Sequence, residues 1–324
     1  MSDLLLEAPT DRRRAGRFGL LVARRIAAGI FVLWVAVTIT FVAIQLTPGD
    51  TVALLLGENR DDPVLRAQTI ARWGLDQPLW VQYFTYLGRI PSGDLGISYT
   101  LRKPVSELIA MGMWPTFQLT AAAAIGAVLI AVAVAVLTTA PIPGLRRVAA
   151  AIELVVICAP PYWLAIVLLW AVSFRLGWFS IVQQDSWQAL VLPTASLALP
   201  IGAYLSQILV EGLDRAMAEP FVTTARSRGI SLLAARARHA LRHAALPVIH
   251  LVGLIIGSLL GGAVIVEQVF GRPGLGQLAV DAVTVKDVPL ILGITLVSTA
   301  AFVTCSAVVD LIGMAVDPRV RTSR

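Results

Sequence analysis

A chain of 324 residues that is 57% hydrophobic and only 14% charged, with a mean hydropathy of +0.79, carries more apolar surface than a water-soluble domain can bury. The same composition excludes aqueous disorder, and the surplus apolar surface calls for a bilayer. The formal charge of +6 comes without an RNP-like or zinc-finger pattern, which excludes nucleic-acid binding as the reading and leaves the basic residues to be sorted by position.

Runs free of Asp, Glu, Lys and Arg locate the elements. Six of them reach 21 residues or more: Ile26–Gly49, Leu108–Leu145, Leu154–Phe174, Ser186–Val210, His243–Val266 and Val288–Val309. At 1.5 Å per residue, about 20 apolar residues cross a hydrocarbon core of roughly 30 Å. The chain is therefore predicted to be an all-α integral membrane protein with six transmembrane helices. An N-terminal segment, 1–25, precedes a first span at 26–46 and a long loop at 47–115. Further spans follow at 116–140, 149–174 and 187–210. A charged segment, 211–242, leads to spans at 244–270 and 288–316 and a tail at 317–324.

The first apolar run is longer than the roughly 7–15 residues of a secretory signal and no A-x-A-like site follows it, so it is expected to remain as a span. In the loop after it, helical stretches are expected over Asp62–Trp73 and Leu79–Ile90, broken by Gly74, Pro78, Pro91 and Gly93. Trp73, Trp80, Tyr83 and Tyr86 suit a segment that lies on the membrane surface, packs on a partner, or caps its own span. The second run is too long for one straight span. Pro115 and the Pro141-Ile142-Pro143-Gly144 cluster are expected to bound its helix at Thr116–Ala140. Pro160-Pro161 in the third span and Pro193 and Pro200 in the fourth are expected to kink those helices. Cys158 and Cys305 fall within apolar runs and read as two buried thiols rather than a disulfide. In the fifth span Gly253, Gly257 and Gly261 recur every four residues, a small-residue face suited to helix packing, with a pore-lining role as the alternative.

Basic residues set the orientation. With the N-terminus inside, seventeen Arg fall on the cytoplasmic side and nine Arg or Lys outside, six of those in the long first loop. Long loops report weakly on sidedness, so both termini are assigned to the cytoplasm.

Catalytic signatures are missing from this sequence. Lys103 precedes Pro104 and Lys286 precedes Asp287, so neither lysine belongs to a P-loop, and no H-E-x-x-H, C-x-x-C or G-x-S-x-G occurs. His239 and His243 sit among Arg236, Arg238 and Arg242, which disfavour a metal cation. The chain is expected to be no enzyme. Its ionisable residues in or near spans, Glu153, Glu267 and Asp310, lie towards span ends, where an ion-driven carrier would place carboxylates at the midplane. The driving energy is expected from elsewhere.

The charged segment 211–242 reads as two short helices, one ending at Gly229 and one starting at Ser231. The first presents Phe221, Val222 and Ala225 beside small hydroxyls and two arginines. It fits a groove on another protein or the surface of the inner leaflet.

The order of several motifs then becomes specific. Phe221-Val222-Thr223-Thr224-Ala225-Arg226-Ser227-Arg228-Gly229-Ile230-Ser231 resembles the coupling segment of binding-protein-dependent ABC importer permeases. Sixteen residues, Ile230 to Ala245, separate Gly229 from Leu246-Pro247. Leu46-Thr47-Pro48-Gly49-Asp50, Gly74-Leu75-Asp76-Gln77-Pro78, Gly93-Asp94-Leu95-Gly96, Val266-Glu267-Gln268-Val269-Phe270, Pro273-Gly274-Leu275-Gly276 and Asp317-Pro318-Arg319 extend the likeness over most of the chain. It is similar to the oligopeptide/dipeptide permease family, in its B-type subunit. Thr223-Thr224-Ala225 stands where the family's name-giving Glu-Ala-Ala would be, and Ser206–Val210 lacks a basic residue often found there.

The resemblance implies an ABC importer permease (MetI-like) fold and a place in the bacterial inner membrane. It implies a second homologous permease, two ATPase domains, separate or fused, and an external peptide-binding protein. ATP and Mg would sit on those partners, with no cofactor on this chain. The residues it marks for ATPase coupling are Glu219, Pro220, Phe221, Val222, Thr223, Thr224, Ala225, Arg226, Ser227, Arg228 and Gly229, with Leu246 and Pro247. Peptide is the expected cargo. Nickel or glutathione permeases share much of the pattern, and an ion-coupled secondary carrier is the competing class.

Overall fold

The computed structural model describes residues 11–138, 144–179, 186–231, 234 and 240–316. In chain order its helices are α1 (Asp11–Leu46), α2 (Thr51–Leu56), α3 (Pro63–Trp73), α4 (Leu79–Arg89), α5 (Val105–Thr138), α6 (Leu145–Cys158), α7 (Pro161–Leu168), α8 (Trp187–Met217), α9 (Pro220–Ser227), α10 (Leu241–Phe270), α11 (Leu275–Thr284) and α12 (Val288–Val316). Among the described residues, four segments are long and apolar enough to cross a membrane: Ala23–Leu46 of α1, α5, α8, and Val288–Val308 of α12. A fifth crossing is supplied if α6 and the helix Pro161–Arg175, bent against it by 105°, count as one span. The bend falls at Ala159-Pro160, where the prolines remove backbone donors and Ala159 turns extended.

Close approaches along the helices fix their directions. A Cβ on Gly126 would lie 3.2 Å from Ala198, and one on Gly202 would lie 2.8 Å from Ile130, so α5 and α8 run parallel and in register. Parallel neighbours need the chain to return between them, and the bent α6–α7 pair is that return. Gly212 meets Ala244, and Gly262 lies against Leu197, so α10 is antiparallel to α8. Gly29 meets Val303, and Phe41 clusters with Leu292, so α12 is antiparallel to α1.

The seam between α5 and α8 is made of small side chains. Ala123, Ala127, Ala131 and Ala135 are all buried, one per turn, and let the α8 backbone approach at Gly202. Lipid tails are as apolar as the helices, so close packing of small residues holds such a pair where the hydrophobic effect does not. The same bundle buries the carboxylate of Glu153 on α6 against the Ser206 hydroxyl of α8.

Between α1 and α5 the chain builds a cap. Asp50 and Asp62 accept N–H bonds at the starts of α2 and α3, Pro63 occupies the first turn of α3, and Gly74 ends it in the left-handed conformation. The helices expected over Asp62–Trp73 and Leu79–Ile90 are α3 and α4. Tyr83 of α4 meets Thr38 of α1 through a 2.6 Å hydroxyl–hydroxyl bond and packs its ring on Phe41.

Several expected boundaries move. α5 begins at Val105 rather than Thr116 and passes through Pro115. The lost N–H bond is tolerated because the helix is held from outside on either side of Pro115: a Cβ on Gly112 would lie 3.2 Å from the Gly274–Leu275 backbone, and Thr116 bonds Glu267. α8 runs unbroken through Pro193 and Pro200 and on to Met217, carrying Glu211, Asp214 and Arg215 beyond the apolar stretch. Cys158 is exposed rather than buried, since a thiol at the end of a lipid-facing helix needs no protein cover, and both cysteines are free. Among the described residues, nothing lies within 4 Å of a Cβ placed on Gly261, which leaves this face open to a partner subunit. The surroundings of Gly253 and Gly257, most of the helix expected from Ser231 and the tail 317–324 lie outside the described residues.

Candidate functional site

At one end of the bundle, α8 and α10 are joined through α9. Arg146 at the start of α6 pairs with Asp214 of α8 at 2.8 Å, in solvent. α9 spans Pro220–Ser227, with Pro220 at its first position and side-chain bonds from Thr224 to the Pro220 carbonyl and from Ser227 to the Thr224 carbonyl. Gly229 follows at φ +84° with no atom near a Cβ position, so glycine is required there by backbone conformation alone. Glu219, Pro220, Thr224, Ser227, Arg228 and Gly229 are exposed. Val222 is 2% exposed, so it anchors α9 to its own chain and does not face outward. The side chains of Phe221, Thr223, Ala225, Arg226, Leu246 and Pro247 lie outside the described residues.

At the opposite end, a buried latch explains two of the sequence motifs. Glu267, in the last turn of α10 and fully buried, accepts the Thr116 hydroxyl at 2.5 Å and the Gly276 amide at 2.7 Å. The Leu275 amide in turn donates to Thr116 at 2.8 Å. The carboxylate thus binds the N-terminus of α11, where orphan N–H groups and the helix dipole favour a negative charge. Gly274 and Gly276 are required by this approach: a Cβ on the first would lie 2.2 Å from the Glu267 carboxyl, and on the second 2.4 Å from the Val264 Cα. Arg272, 4% exposed, donates to Gln118 at 2.9 Å and to the Pro115 carbonyl at 3.4 Å.

Lys286 and Asp287 tie the cap to α12. The Lys286 ammonium donates to the carbonyls of Thr47 and Gly49, the end of α1. Asp287 accepts the Ser98 hydroxyl at 2.5 Å and the Thr100 amide at 3.1 Å, fastening the turn between Ile97 and Pro104. Asp287→Ala is expected to strand both donors, a cost of about 2–4 kcal/mol, and to speed amide exchange across 96–104 while that of α5 is unchanged. Hydrogen–deuterium exchange reads this directly. Asp50 bonds Arg66 at 2.6 Å, and that guanidinium holds the carboxyl below its usual range. Tyr99, its ring tilted against Trp73, is pushed up to about 12 by burial and then by the charge of Asp287, with Arg89 opposing. Between α3, α4, the 94–99 segment and α12 lies a cavity of about 630 Å³.

Residues 143–322 match the family model of the binding-protein-dependent transport system inner membrane component, and residues 18–120 match the N-terminal model of the same kind of component. The chain belongs to this family. Among relatives, the glutathione transport system permease protein GsiC of Salmonella choleraesuis (strain SC-B67) is 35% identical over 303 residues, covering 93% of this chain and 98% of that one. Its counterpart from Escherichia coli (strain K12) is 33% identical over 305 residues, with the same coverage. The crystal structure of an amino acid ABC transporter with histidines superposes with a TM-score of 0.52 at 21% identity, over 65% of this chain and 94% of that one, and so shares the fold. The permease is a multi-pass inner-membrane subunit of an ABC-type importer. Such a subunit works with a partner permease, ATPase subunits and a substrate-binding protein.

The pattern of the sequence marked α9, Gly229 and the Val266–Gly276 stretch, and the structure supplies what each does locally. Sequence reasoning missed Thr116, Ser98 and the alanine seam of α5. The seam was visible as alanine every fourth residue from Ala123; the other two carry no local signal.

Proposed function

We propose that the chain forms six spans with both termini cytoplasmic, and that it imports short peptides by coupling their passage to ATP hydrolysis on partner subunits. The parallel α5–α8 pair supports the count, because it requires a crossing between them, and the antiparallel α8–α10 and α1–α12 pairs supply the remaining alternation. Basic residues concentrate at the α9 end, which supports its placement inside.

The observation that carries the coupling role is α9 itself: a short helix anchored inward by Val222, with Thr224, Ser227 and Arg228 outward, ended by a glycine in a conformation other residues resist. It would dock on an ATPase domain, with ATP and Mg held there and no cofactor on this chain. Closure of the two ATPase domains then draws α9 inward and favours the outward-open arrangement, which the loaded binding protein also favours. Two ligands that prefer one state help each other, as coupling requires. The cargo follows from the resemblance to oligopeptide/dipeptide permeases and from the glutathione relatives, since glutathione is itself a short peptide.

Reconstitution with the partner permease, the ATPase subunits and the binding protein tests this. Peptide should accumulate only with ATP, and accumulation by this chain alone without nucleotide would refute it. Gly229→Val strains a left-handed position by about 1–2 kcal/mol and misdirects the chain after α9, so peptide-stimulated ATP hydrolysis should fall about tenfold with assembly intact. Stimulation at the wild-type level rules out the coupling role.

A further inference from the structure

The cap is not built wholly above the membrane. The Tyr83 hydroxyl of α4 meets Thr38, eight residues before the apolar end of α1 at Leu46, which is about 12 Å along the helix. On its other side, Tyr83, Tyr86 and Leu87 pack against the cluster of Val37, Phe41 and Leu292, and Leu292 lies four residues inside α12, about 6 Å. The aromatic side chains of α4 thus reach α1 and α12 within the apolar stretches of both helices.

The faces of α4 are sorted accordingly. Leu79, Trp80 and Phe84 are 51%, 67% and 63% exposed, and Gly88 extends the same charge-free side with nothing near it. On the far side, Gln82, Thr85 and Arg89 line the 630 Å³ cavity together with Arg72, Asp94 and Tyr99. α1 also leaves Trp34, Val42 and Leu46 exposed.

We propose that the Leu79–Trp80–Phe84 face of α4 is embedded in lipid at the headgroup–acyl boundary of the cap-side leaflet, making α4 a wall between lipid and an aqueous cavity. The depth argues for lipid over the binding protein, because a soluble partner docks above the headgroups and this face lies beside the spans. The exposed apolar side chains of α1, to which α4 is bonded through Tyr83 and Thr38, call for the same occupant. Aromatic side chains suit this boundary, and an amphipathic helix there buries its apolar face about 5–10 Å deep. This inference rests on reading α1 and α12 as spans.

Site-directed spin labelling of the assembled importer in lipid nanodiscs tests it, with Cys158 and Cys305 replaced by serine. Nitroxides introduced through Trp80→Cys and Phe84→Cys should collide with oxygen in preference to a water-soluble nickel chelate. Those introduced through Gln82→Cys and Thr85→Cys should show the reverse preference. An Ile39→Cys label, on a lipid-exposed position of α1, reports on the spans themselves. Nickel access at 80 and 84 with oxygen access at 39 overturns the proposal and leaves the spans standing. Nickel access at 39 overturns the reading of α1. Positions 80 and 84 closed to both reagents would mean a protein, not lipid, covers α4, and would also overturn the proposal.

Discussion

Glu267→Ala is expected to lower the stability of the folded permease by about 3–5 kcal/mol and to reduce the yield of assembled importer sharply. The carboxylate is the acceptor for the Thr116 hydroxyl and the Gly276 amide, and with Gln277 at 3.4 Å it covers the N-terminus of α11. Alanine leaves these donors in a space from which water is excluded. Each stranded donor costs about 1–3 kcal/mol, and the missing side chain adds a void. Glu267→Gln keeps one carbonyl oxygen for the Gly276 amide, and the Thr116 hydroxyl can turn to accept from the new amide. It should therefore recover about half of the loss. Thermal unfolding of the purified heterodimer in mild detergent, followed by size-exclusion fluorescence, ranks the three proteins. If alanine melts with wild type, the latch does not hold α5, α10 and α11 together.

Gly202→Val should be nearly as damaging at the other packed seam. A Cβ there would sit 2.8 Å from Ile130 and 3.0 Å from the Ala127 carbonyl oxygen, which belongs to the backbone of α5 and cannot rotate away. α5 and α8 must separate, at a cost of about 1–3 kcal/mol or more, and the close contacts along the alanine stripe loosen with them. Ile130→Ala removes the nearer obstacle, so the double variant should regain part of the lost stability. A double variant no better than Gly202→Val would show that the backbone oxygen, not the side chain, sets the distance. Single and double variants can be compared by the same melting measurement, alongside transport in reconstituted vesicles.

The reach of local sequence reading differs from element to element. Spans were legible because lipid tolerates neither bare backbone polarity nor unpaired charge, and both show in any window of about 20 residues. The bounds of α3 were legible from Asp62 and Gly74, whose partners lie two to four residues away, whereas the short α2 after Asp50 was not expected. The start of α5 was not. Pro115 carries a real local penalty, and what outweighs it arrives from Glu267 and Gly274, about 150 residues later in the chain. Val222 looked like an outward anchor by its chemistry, and only its neighbours reveal that it faces its own chain. Glycine spacing in α10 suggested packing, including against a partner subunit, and the internal seam between α5 and α8 is made instead by the alanines of α5.

By itself the sequence determined that this protein lives in a membrane, where its apolar helices lie, and that a short basic helix closed by Gly229 joins two of them. Those properties depend on a residue and its near neighbours, which is as far as periodicity and propensity extend. Tertiary structure alone decided which helices touch, that Glu267 and Asp287 are latches rather than stray charges, and that α4 packs through Tyr83 on α1. Each of these depends on groups 45 to 189 residues apart, whose meeting is set by the packing of the whole bundle.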